Sequence, residues 1–187
     1  GTYLTCEENF NGYFKGPPAP SADQKRYGLT EKGFGFRWHE HDERFDATRH
    51  PNEVNRFGWV VEIDPWRPDQ QPVKRTALGR FKHEGATVTL ARDGRVVVYM
   101  GDDERFEYVY KFVSHDRYRA GNPGNARLLD TGTLYVARFD DDGKGRWLPL
   151  RHGEKYPNGA LTADNGFSDQ GDVVIRCRQA ADVAGAT

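Results

Sequence analysis

Cysteine and methionine are nearly absent from this chain. Two cysteines, Cys6 and Cys177, and one methionine, Met100, occur in 187 residues. Two thiols near opposite ends cannot build a disulfide framework. A single bridge between them would need their backbones within reach, which spacing alone does not show. Cys6 reads as a ligand or free thiol, and Cys177 as a small apolar residue in a strand over 172–177. Net charge is also missing: 27 basic residues almost cancel 28 acidic ones, for a total of -1. That balance argues against nucleic acid as a partner. No apolar run is long enough to span a bilayer as a helix. Serine-nucleophile GxSxG and phosphate-cradling GxxxxGK[ST] motifs are lacking as well.

Helical periodicity is scarce, whereas strand patterns abound. Runs rich in Val, Ile, Tyr, Phe and Thr predict strands over 57–63, 86–91, 95–100, 107–113, 133–139 and 172–177, with a shorter one over 34–38. Asp93-Gly94 predicts a hairpin between the second and third of these, and Asp141-Asp142-Gly143 another leading into Trp147-Leu148. One helix is expected, over 178–184. The fold class is therefore all-β and antiparallel, a sandwich, barrel or propeller. On blades of about 40–50 residues the chain holds about four blades or fewer, a partial β-propeller in a single domain over 1–187. The four tryptophans, Trp38, Trp59, Trp66 and Trp147, read as core residues of these strands.

What the chain does contain is ligand chemistry at strand ends. Cys6-Glu7-Glu8-Asn9 follows a strand-like run and puts a soft thiol beside two hard carboxylates. Thiolate favours iron, zinc or copper, and paired carboxylates favour calcium, magnesium or manganese. Gly101-Asp102-Asp103-Glu104 ends the 95–100 strand in the same way, and His83-Glu84 precedes the 86–91 strand. His39-Glu40-His41-Asp42-Glu43 lacks HExxH spacing on a helix and reads as a solvated face. Acids converging from separate strands into one water-poor channel would be destabilising without cations. An exposed acidic turn is the competing reading of each cluster.

The segments Gly1-Thr2-Tyr3-Leu4-Thr5-Cys6-Glu7-Glu8-Asn9, Phe57-Gly58-Trp59-Val60-Val61-Glu62-Ile63-Asp64-Pro65, Gly79-Arg80-Phe81-Lys82-His83-Glu84 and Val98-Tyr99-Met100-Gly101-Asp102-Asp103 resemble the PhoX family of secreted alkaline phosphatases. The resemblance implies a β-propeller that hydrolyses phosphate monoesters with an iron–calcium cluster in its channel. By that resemblance Cys6 is an iron ligand, and Glu7, Glu8 and Glu84 hold the cluster together with Asp102 and Asp103. Asn9 is the candidate substrate-binding side chain. Iron and calcium are the expected cofactors, and small phosphate esters the expected partners. A monomer with no nucleic acid and no membrane span is expected, in the periplasm or outside the cell. The family chain is longer and takes further ligands and a phosphate-binding arginine from a later segment, and an MxRPE-like stretch is missing here. The chain, opening at Gly1, is thus read as a piece whose export signal lies upstream. Two alternatives stay open: a calcium-dependent propeller lactonase, in which Asn9 rather than a thiolate serves the site, and a non-catalytic module with structural calcium.

Overall fold

A computed structural model describes all residues, 1–187. Its largest element is a five-stranded antiparallel meander of β4 (His83–Leu90), β5 (Arg95–Asp102), β6 (Val109–Arg117), β7 (Gly132–Phe139) and β8 (Gly145–Pro149), each strand paired with the next. A second sheet joins β1 (Tyr3–Cys6), β2 (Val60–Ile63) and β3 (Val73–Lys74), and β9 (Lys155–Tyr156) pairs with β10 (Gly159–Ala160). Both expected hairpins are present. Gly94 turns the first with φ 85° while its N–H donates to the Ala91 carbonyl, and Gly143 turns the second with φ 79°. No sheet closes on itself within the chain.

The pleat sorts the residues into faces. Met100, Tyr110, Val136 and Leu148 lie opposite one another across four strands, and Val98, Phe112 and Leu134 form the next row. All but Leu148 are buried, and they form the centre of the larger core with Leu78, Phe81 and Phe167. A smaller core of Phe10, Phe14, Tyr27, Leu29, Phe45, Ala47 and Val54 lies under the long segment between β1 and β2. That segment carries α1 (Ala22–Arg26), whose start is fixed by a capping box between Ser21 and Gln24.

Three sequence expectations are corrected here. Residues 172–177 are not a strand. They fall in α2 (Gln170–Ile175) and at the start of α3 (Cys177–Ala184). Asp169 caps α2 by accepting from the Asp172 N–H, and Val173, Cys177, Ala180, Ala181 and Ala184 form one buried helical stripe. Burial along that stripe outweighs the β-preference of Val173, Val174 and Ile175. Residues 34–38 are not a strand either, because Gly33, Gly35 and Arg37 all have positive φ, at 55°, 82° and 59°. Of the four tryptophans only Trp59 is buried, whereas Trp66 is 81% exposed.

Buried arginines tie the two cores together. Arg178 of α3 has no exposed side-chain surface and makes a bidentate pair with Asp102 of β5, both bonds 2.7 Å. It also donates to the Arg26 carbonyl at 2.6 Å. The Tyr27 ring lies against two guanidiniums, with Arg80 4.2 Å and Arg178 4.4 Å from its centroid.

Candidate functional site

β1 sits beside β4, and this adjacency brings the ends of three strands together. Cys6 is the last residue of β1, opposite Val60. On β4 the register with β5 slips between His83 and Gly85, leaving Glu84 on a β-bulge. A bulge re-aims a side chain, and here it separates neighbours by environment. His83 turns inward, fully buried, stacked 3.7 Å from the Phe81 ring. Glu84 is exposed. Asp103 follows β5 and is held by its N–H donating 3.0 Å to the Lys82 carbonyl, beside the bulge.

Cys6, Glu8, Glu84 and Asp103 share one electrostatic environment. The Glu8 carboxyl is raised above its ordinary range, first by a hydrogen bond with the Asp103 carboxylate, then by burial and by the Asp103 charge. The Glu84 charge pushes the same way, whereas the Asn9 amide, donating to Glu8 Oε1 at 3.1 Å, opposes it. Burial raises the Cys6 thiol, and the Glu8 charge adds to the rise. Carboxylates are the donor type that hard cations take, and a thiolate the type that softer metals take. No three His, Cys, Asp or Glu side chains are arranged to enclose one ion. The four donors are gathered near neighbouring strand ends without forming a ligand shell.

Two expected ligands point elsewhere. Glu7 Oε2 accepts the Gly58 and Trp59 N–H groups, each at 3.0 Å, and Oε1 accepts from Lys74 Nζ at 2.8 Å. It is a latch across β1, β2 and β3. Asp102 spends both oxygens on Arg178 and has no exposed side-chain surface. Adjacent acids thus divide their work: Glu7 and Asp102 hold the scaffold, and Glu8 and Asp103 face each other. His83 is neutral, its pKa pushed down to about 4 by burial, with Nε2 donating to the Gly79 carbonyl at 2.9 Å. Cys177 is a free, buried thiol that donates to the Arg80 carbonyl, so no bridge joins it to Cys6. In the His39–Glu43 stretch, Glu40 pairs with Arg37, Asp42 caps the following turn and Glu43 pairs with Arg49, as suits a solvated face.

The bulge and the Arg178 pair were not anticipated. Gly85 inside a strand pattern is the sequence signal for the bulge. Nothing local could reveal a partner 76 residues away.

Over residues 1–187 the sequence matches the family described as alkaline phosphatase PhoX. The chain belongs to that family. It is also similar to Pseudomonas fluorescens PhoX, whose structure was solved in complex with vanadate, a transition-state analogue. The TM-score is 0.92 and the identity 53%, covering 100% of this chain and 34% of that one. This PhoX-family chain therefore spans about a third of that relative's length, and its open antiparallel sheets form part of a propeller. No curated protein matches it. No helix is long and apolar enough to cross a membrane.

Proposed function

We propose that this chain supplies part of the active site of a phosphate monoesterase of the alkaline phosphatase type. The observation that carries the reading is the match of the whole chain to the PhoX family, in which Cys6, Glu8, Glu84 and Asp103 are gathered near neighbouring strand ends. Cys6, Glu8, Glu84 and Asp103 would hold calcium and iron, with the remaining ligands supplied from outside these 187 residues. Bound there, the metals would neutralise phosphoryl charge and lower the pKa of a nucleophilic water. A cation bound there would offset the mutual repulsion of the Glu8 and Asp103 carboxylates. Glu7 and Asp102 act from behind, one fixing the β1 end and the other the β5 end. Asn9 orients Glu8 through its amide. Small phosphate esters would be the substrates of a monomeric enzyme in the periplasm or outside the cell.

The test is hydrolysis of a chromogenic phosphate ester by the 187-residue chain and by a graft of it into the matching segment of Pseudomonas fluorescens PhoX. Activity of the graft that falls in chelator, and in Cys6→Ala or Glu84→Gln, supports the reading. Full turnover in excess chelator, or by folded variants, contradicts it. A lactonase reading needs no thiolate, so loss of activity on Cys6→Ala also separates the two.

A further inference from the structure

We propose that Lys82 is a positioning residue for the acidic cluster, tying the end of β5 that leads into Asp103 to the start of β4 that carries Glu84. The inference rests on the metal-site reading of that cluster and adds to it a group that touches neither metal nor substrate. Residues 102–107 contain four acids, Asp102, Asp103, Glu104 and Glu107. Three of them have a basic partner from another part of the fold. Asp102 pairs with Arg178 of α3, Glu104 with Lys82 and Glu107 with Arg26 of α1. Asp103 has no such partner, and its carboxyl meets Glu8 instead. The segment thus offers one acid and withholds three.

Lys82 grips this segment twice. Its carbonyl accepts the Asp103 N–H at 3.0 Å, and its ammonium group donates to Glu104 Oε2 at 2.5 Å. The two bonds engage consecutive residues, so the backbone at Asp103 cannot turn without breaking one of them. Glu84 lies two residues further along the chain, on the bulge. One side chain therefore ties the acidic end of β5 to the strand that presents Glu84.

The lysine is itself fixed. It is 8% exposed, and any added polypeptide would only bury it further. A Cβ on Gly28 would lie 3.6 Å from Lys82 Nζ and 2.6 Å from Asn11 Nδ2, so the chain after α1 closes over the ammonium group. Charge gives the proposal its sign. By Coulomb's law alone, a lysine near a cation site weakens binding, and its removal tightens calcium. A tether predicts the reverse, because Glu104 set free no longer holds Asp103 in place. Groups that fix a metal ligand from behind typically contribute about ten- to hundredfold in affinity.

The experiment titrates calcium into the metal-stripped graft by calorimetry, for wild type, Lys82→Met and Gly132→Ala. Lys82→Met should weaken calcium about tenfold. Gly132→Ala is a destabilising change at the far end of the meander, where Gly132 pairs with Ser114 while Gly101 pairs with Val109, and it should leave the affinity unchanged. Unchanged or tighter calcium in Lys82→Met, or equal weakening by Gly132→Ala, overturns the tether; a wild-type graft that takes up no calcium overturns the metal reading instead. A second measurement needs no metal and no buried substitution. Amide exchange at Asp103 in the 187-residue chain, followed by NMR in chelator, should be about tenfold faster in Glu104→Ala, at a side chain that is one-third exposed. An unchanged rate at Asp103, or an equal acceleration throughout β5, also overturns the tether.

Discussion

Replacing Asp102 by asparagine should unfold this protein more readily, and replacing Asp103 should not. The two residues are adjacent, equally acidic and indistinguishable by sequence chemistry, yet the structure gives them opposite roles. Asp102→Asn removes the countercharge of Arg178, whose guanidinium has no exposed surface. Breaking a buried pair in this way costs about 3–5 kcal/mol, because one charge is left behind without its partner. Glu107 Oε1 lies 3.7 Å from Arg178 Nε and the Arg26 carbonyl still accepts from Nη1, so the lower end, about 3 kcal/mol, applies. For a protein of this size that is a fall in Tm of about 6–12 °C. Asp103→Asn instead relieves repulsion at an exposed position and should stay within about 0.5 kcal/mol of wild type in metal-free buffer. The assay is thermal denaturation of wild type, Asp102→Asn, Asp103→Asn, Arg178→Gln and the Asp102→Asn/Arg178→Gln pair. The double variant should lose less than the two single losses added together. Equal Tm values for Asp102→Asn and wild type would refute the assignment of Asp102 to the scaffold.

Other consequences follow from the same contacts. Burial pushes the Cys177 thiol up to about 12 from an ordinary 9.0. Its contribution is therefore fully present below about pH 9 and is lost as pH rises toward 12, because the unfolded thiol ionises first. Cys177→Ala should flatten the fall in stability between pH 8 and 10.5, and an unchanged slope in urea titrations would count against it. A thiol reagent should label the half-buried Cys6 in the folded protein and reach Cys177 only after unfolding; mass spectrometry showing both labelled at equal rates would contradict the burial. Gly132→Ala should destabilise by about 1–3 kcal/mol, since its Cβ would meet Phe112 Cζ and the Val113 carbonyl oxygen, each at 2.4 Å. Denaturant titration reads that loss directly.

The five-stranded meander was legible because its signals are local. Alternation and Asp-Gly turns act within a few residues, and the strands over 86–91, 95–100 and 133–139 appear with slightly longer ends. The C-terminal run 172–177 was not, because its β-branched residues favour one structure and its distant packing partners impose another. At the site, strand ends and residue types singled out Cys6, Glu8, Glu84 and Asp103. What the sequence could not separate was Glu7 from Glu8, or Asp102 from Asp103. That division depends on Lys74 and Arg178, which arrive from 67 and 76 residues away. Trp38 was misread for a related reason: an aromatic in a short alternating stretch looks like core until the glycines around it bend the chain outward.

We propose that Cys6, Glu8, Glu84 and Asp103 form the metal-holding side of a phosphatase site. Elemental analysis of the graft into Pseudomonas fluorescens PhoX, wild type beside Glu8→Gln/Asp103→Asn, tests it most directly. Iron and calcium are expected in the wild type, with calcium lost from the folded double variant. Equal calcium in both proteins, or an active wild type holding neither metal, would contradict it.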